Sequence, residues 1–203
     1  SRRPSGLRKT NFVFNSLAHR TTWLRSDLYI IKIQKKKGVE KMEFIEQIKE
    51  RARKDIKTIV LPEAEDIRIL KATEKVLNEK YANIVLIGKK ENILKKAESN
   101  NVKIEGAEIV DPEESENSNK YANLLYELRK HKGMTIEKAS ELVKDPVYYG
   151  MLMLKDEDVK ADGLVSGAAH STADTLRPAL QILKTAPRNK VSICFFCDGN
   201  TKL

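Results

Sequence analysis

Two rhythms of apolar residues alternate along the chain from Met42 onward. Phe44, Ile45, Ile48 and Ala52 recur at helical spacing and predict a short amphipathic helix. Thr58 to Leu61 is a β-branched, apolar run that Pro62 stops, the mark of a buried strand. Glu63, Glu65 and Asp66 follow, where the positive end of the next helix dipole would suit them. That helix carries Ile67, Leu70, Ala72, Val76 and Leu77 on one face. Asn83 to Ile87 predicts a second strand closed by Gly88, residues 90–99 a short helix, and Ala107 to Val110 a third strand ended by Asp111-Pro112.

A polar connection over 113–119 leads to a helix lined by Tyr121, Leu124, Leu125 and Leu128. It ends in Arg129, Lys130, His131 and Lys132, with Gly133 suited to its C-cap. A further helix is expected over 135–143, and Asp145-Pro146 starts another, since Asp caps and Pro fits the first turn. Val147, Tyr148, Met151, Leu152 and Leu154 in its body suit a core or a subunit interface better than a cofactor site. Asp156, Glu157 and Asp158 read as a solvated helix end, not a calcium loop. Short apolar strands separated by amphipathic helices predict an α/β fold, a three-layer, mostly parallel sheet with helices on both faces.

The densest chemistry lies in 162–184, DGLVSGAAHSTADTLRPALQILK, which reads as strand, small-residue loop and helix. Gly163, Gly167, Ala168 and Ala169 leave room for close approach to the backbone. Ser171 and Thr172 sit near the helix start, where N–H groups and the dipole favour an anion, and Arg177 lies further on. Two readings stand: an anion site, or ordinary turn and cap chemistry. Arg129 carries a similar pair of readings, as a cation at a helix C-terminus or as a residue facing a cleft. His170 lacks the partners a zinc site needs, and a local hydrogen-bonding role is expected for it. No dinucleotide fingerprint follows the strand before Pro62, and neither a Ser/His/Asp set nor a P-loop is present.

Charge changes the picture at one end only. Residues 1–41 hold 11 Lys or Arg against 2 Asp or Glu, whereas 42–203 hold 27 of each. The body therefore has no basic excess pointing to nucleic acid. The leader 1–41 admits three readings: a transit peptide, a basic arm for nucleic acid or anionic lipid, or upstream sequence outside the working protein. Cys194 and Cys197 stand in an apolar strand-like run, Val191 to Phe196, and are expected to be buried inert thiols. No stretch approaches the apolar length that crosses a bilayer.

The body resembles the phosphate acetyltransferases and, more broadly, the phosphate acetyl/butyryltransferase family. The resemblance rests on IVLPEAEDIRILKA (59–72), ANIVLIG (82–88), AEIVDPE (107–113), YELRKHKG (126–133) and ADGLVSGAAHSTADTLRPALQILKTAP (161–187), and spans about residues 43–190. It implies two α/β domains with a cleft between them, of which 42–187 would be the first and 188–203 a truncated or altered start of the second. It implies reversible acetyl transfer between acetyl-CoA and phosphate, giving CoA and acetyl phosphate, in a ternary complex without a covalent acyl-enzyme. Coenzyme A is then a substrate, with no bound cofactor and no metal, in a cytoplasmic enzyme that usually dimerises. Carried over by position, Arg129, Ser166, Gly167, Ser171, Thr172 and Arg177 would bind substrate. The family's catalytic residues are expected in a later, C-terminal half. After Pro187 the pattern departs, with Arg188 where Gly is usual, so the chain is expected to be an N-terminal portion that is inactive as it stands. A butyryl-transferring enzyme and a non-catalytic acyl-CoA or phosphate-binding module are the alternatives.

Overall fold

The structure is a computed structural model that describes residues 11–14 and 39–184, with side chains from Phe44 onward. Most of the leader, the Val191–Phe196 run, Cys194 and Cys197 lie outside the described residues. The chain folds as β1 (Asn11–Phe14), α1 (Val39–Lys54), β2 (Lys57–Leu61), α2 (Ile67–Asn78), β3 (Ala82–Ile87), α3 (Lys90–Ser99) and β4 (Glu108–Val110). There follow α4 (Ser118–Arg129), one 3-10 turn at Lys130–Lys132, α5 (Ile136–Val143), α6 (Pro146–Lys155), β5 (Gly163–Ser166) and α7 (Thr172–Ile182).

The strands form one parallel sheet in the order β1-β5-β2-β3-β4. Period-two alternation sorts its side chains into two cores. Val60, Val85, Ile87 and Leu164 face the layer of α4, α5, α6 and α7, packing on Leu125, Val147, Met151 and Ile182. Leu61, Ile84 and Leu86 face the other way, against Leu70 of α2 and Ile93 and Ala97 of α3. This is the three-layer α/β arrangement that the sequence predicts. β2 and β3 carry apolar residues on both faces because both faces are covered.

The caps agree with the chemistry of the sequence. Asp66 accepts from the Arg68 N–H at 2.8 Å to start α2. Asp145 accepts from Val147 and Tyr148 to start α6, with Pro146 in its first turn. Gly133 adopts a left-handed φ of 79° where the chain leaves α4 and its 3-10 turn.

Three features differ from expectation. The Asp156 side chain is not solvated: it is 5% exposed and paired with Lys120 of α4 at 2.7 Å. Burial pushes its carboxyl up, but the hydrogen bonds from Lys120 and the Asp158 N–H hold it below the ordinary value. A residue that ties α6 to α4 thus stands where local sequence suggests a helix end in water. Secondly, Phe44, Ile45 and Ile48 of α1 remain 54, 43 and 49% exposed, so the stripe gains no cover from the described residues. Arg53 fastens this helix instead, bonding the Glu79 carboxylate and lying 4.8 Å over the Tyr81 ring. Thirdly, Asn11–Phe14, within the leader, pairs in parallel with β5.

Helix α6 approaches the sheet through a missing side chain. A Cβ on Gly150 would lie 2.6 Å from Leu164 Cδ1 and 3.1 Å from both Ile87 and Val60. Gly150→Ala should therefore lower stability by about 1–2 kcal/mol in urea unfolding, the overpacking outweighing a helix-propensity gain of about 1 kcal/mol.

Candidate functional site

Chain order reverses beside β2. The path from β2 runs outward through β3 and β4, and β5 then returns to the opposite side of β2. Beyond the carboxyl ends of these strands the chain passes from β2 to α2 on one face and from β5 to α7 on the other, the kind of point where parallel α/β sheets take ligands. A cleft of about 380 Å³ lies at this end, lined by Pro62, Glu63, Asp66, Gly88, Pro146 and His170 among others.

The loop after β5 is a nest of backbone donors, and it already holds an anion. Glu63, just beyond β2, places its carboxylate inside it. Oε2 accepts from the N–H groups of Gly167 at 2.9 Å and Ala168 at 2.7 Å. Oε1 accepts from Ala169 at 2.8 Å and His170 at 2.7 Å. Gly167 has a φ of 115°, which a side chain would strain, and this turns successive N–H groups toward one point. Burial alone would raise the Glu63 pKa; the His170, Ala169 and Ala168 N–H groups outweigh it and hold the carboxyl ionised, below its ordinary value.

His170 completes the arrangement. Its Nδ1 lies 2.9 Å from Glu63 Oε1, so beside an ionised carboxylate Nδ1 carries the proton and donates. The sequence pointed to a hydrogen-bonding role for His170 without a partner; the partner is 107 residues away. Arg68 braces the other side of the loop, donating to the Ala168 carbonyl and to Asp66. At the opposite end of β5, Asp162 accepts from the Thr58 N–H at 2.9 Å and returns its own N–H to the Thr58 carbonyl.

The six residues expected to bind substrate divide into two groups. Ser166, expected at the cleft wall, is buried, its hydroxyl 3.4 Å from Thr175 Oγ1. Gly167 gives its N–H to Glu63. Ser171 caps α7, accepting from the Asp174 N–H and donating to the Asp174 carboxylate at 2.6 Å, and Thr172 opens that helix on an exposed face. Arg129 and Arg177 form the second group. Burial raises the Tyr148 hydroxyl pKa, and the positive charges of Arg177 and Arg129 both act against that rise. Tyr148 donates to Gln181 Oε1 at 3.1 Å, and Arg129 Nε is buried without a partner among the described residues. Neither arginine lines the cleft beside β2, and the unpaired Nε leaves Arg129 with donor capacity to spare.

Sequence reasoning missed Glu63 and Arg68. Glu63 looked like a dipole-matching acid of its own helix, because nothing local shows that it reaches another helix's loop. The only signal lay in the LPEAEDIR run that contributed to the family resemblance.

Comparison with known proteins places the chain. The family described as phosphate acetyl/butaryl transferase matches residues 43–202, past the point where the ending was expected to depart. The phosphate acetyltransferase of Acetivibrio thermocellus is 54% identical over 155 residues, covering 76% of this chain and 46% of the relative. That of Escherichia coli is 47% identical over 152 residues, covering 74% and 21%. The EutD phosphotransacetylase structure from Staphylococcus aureus superposes with a TM-score of 0.66 at 37% identity, over 75% of this chain and 44% of that one. A phosphotransacetylase from Streptococcus pyogenes gives 0.67 at 33% identity, over 72% and 44%. The chain belongs to the phosphate acetyl/butyryl transferase family, and it spans about half or less of the length of these relatives. No helix among the described residues is long and apolar enough to cross a membrane.

The depressed Glu63 pKa has a definite sign in stability. Its contribution is fully present above the unfolded-state value of about 4.5 and is lost as pH falls through the lower folded-state value. Asp66 and Asp156 are depressed too, so the wild type should be compared with Glu63→Gln. Urea unfolding across this range should show the wild-type advantage over the variant shrinking as the pH drops. An advantage independent of pH would contradict the ionised clamp.

Proposed function

We propose that the chain supplies the substrate-anion half of a phosphate acetyltransferase site, for the reaction acetyl-CoA plus phosphate giving CoA plus acetyl phosphate. One observation carries this reading: in a chain of this family, the Arg129 guanidinium at the end of α4 keeps a buried Nε without a partner among the described residues. Both substrates are anionic, and the forked donors of an arginine suit phosphate oxygens.

In the chemistry this implies, the CoA thiolate attacks the carbonyl carbon of acetyl phosphate, and the phosphate departs with the electron pair of the broken C–O bond. No acyl group passes through the protein, so the protein's task is placement, neutralisation of phosphate charge and stabilisation of the carbonyl oxygen as it gains charge. Arg129 and Arg177 serve neutralisation, and Ser171 and Thr172, at the start of α7, lie along the same approach. No residue of 42–187 is assigned to bond making. The surrounding assignments of the reading are a cytoplasmic enzyme of acetate metabolism acting as a homodimer, with coenzyme A as a substrate and no metal requirement.

Titration calorimetry with CoA tests the reading. Arg129→Ala and Arg177→Ala should each weaken binding about tenfold to a hundredfold, since a charge-assisted bond contributes about 1.5–3 kcal/mol. Affinity unchanged in both variants would remove the arginines from the site. Acetyl phosphate formation measured alongside separates a transferase from a module that binds without turnover, and butyryl-CoA in parallel reports the acyl preference.

A further inference from the structure

The N–H nest after β5 is a preorganised anion receptor, and a side chain of the same chain fills it. Four backbone donors at 2.7–2.9 Å and the His170 ring surround a carboxylate whose side chain is 1% exposed. No free phosphate could share that space, because a second anion would meet the Glu63 charge at contact distance. The nest opens directly into the Ser171 cap and α7, and five residues beyond Thr172 the helix carries Arg177. α7 also bears Gln181, which accepts from Tyr148, and Thr175, beside Ser166. The position of Arg177 relative to Arg129 therefore depends on where the nest anchors the start of α7.

We infer that Glu63 is the positioning residue of the site: its carboxylate acts as a built-in anion that closes the 167–170 nest, sets the start of α7, the helix that carries Arg177, and leaves the arginines as the receptor for the substrate anion. The inference rests on the functional reading above only for the identity of that substrate. The charged and titratable groups around Glu63 are His170 in the loop, Arg68 and Asp66 at the start of α2, and Glu65 and Lys96 along the cleft.

Removing the carboxylate should empty a receptor that a small free anion can refill. Glu63→Ala is expected to weaken CoA binding about tenfold or more. Formate, at an ionic strength held with chloride, should raise its melting temperature and restore most of the CoA affinity, while leaving the wild type unchanged. Arg177→Ala added to Glu63→Ala should keep the formate gain in melting temperature and lose the gain in affinity. Wild-type affinity in Glu63→Ala, or no response of that variant to formate, overturns the proposal. A formate gain in stability alone, with affinity already normal, reduces Glu63 to a structural role and overturns it as well.

Should Glu63→Ala not fold, Glu63→Gln keeps the shape and one acceptor oxygen, and ¹⁵N spectra of the His170 ring decide. The wild type should show the Nδ1-protonated form and the variant a shift toward Nε2, with CoA affinity reduced. An Nε2-protonated ring in the wild type, or unaltered affinity in Glu63→Gln, overturns the proposal. If the wild type binds no CoA, the functional reading fails; the formate response in melting temperature then decides the clamp, and its absence overturns it.

Discussion

A buried carboxylate without partners is among the costliest groups a protein can contain, and the architecture of the cleft follows from how Glu63 is satisfied. Its compensation is four backbone N–H groups and an imidazole, all in the loop after β5. Those donors converge only if Gly167 takes its positive φ and α7 starts at Ser171. One ion thus fixes the exit of β2, the exit of β5 and the first turn of α7. Asp162 performs the matching task at the other end of β5 by holding Thr58. The β2–β5 pair is registered at both ends by carboxylates, while the ladder between them is short, Ile59 against Gly163 and Val60 against Leu164.

Packing of the opposite layer supports the same geometry. α6 sits close on the sheet because Gly150 has no side chain, and its first turn brings Tyr148 to Gln181 of α7. Tyr148 is a meeting point for charge: it feels Arg129 from the end of α4 and Arg177 from the middle of α7. The helices that carry these two arginines share one apolar core. Lys120 and Asp156 tie α4 to α6 further from the cleft.

The strands and helices were legible because their signals are local. Thr58–Leu61 and Asn83–Ile87 are apolar on consecutive positions, as strands covered on both faces must be. Asp66, Asp145 and Gly133 announce helix ends through chemistry that operates within a few residues. Asp156 misleads for the complementary reason: an acid after a helix looks solvated until a lysine from another helix neutralises it. The Phe44, Ile45 and Ile48 stripe shows a further limit, since periodicity tells that a face is apolar but not what covers it.

The sequence by itself determined the α/β class, the placement of nearly every element, the small-residue loop before α7 and, through its match to a known family, the two arginines worth watching. Periodicity, capping and family pattern are written along the chain, so they survive without coordinates. Only the tertiary structure decided what the loop holds. The sequence left open whether the 167–170 region receives an anion or is ordinary turn chemistry; folding puts Glu63 there, from 104 residues upstream. Strand order brings β2 and β5 together, and pairing across such a separation leaves no mark in local residue spacing. The partner of His170 was hidden for the same reason.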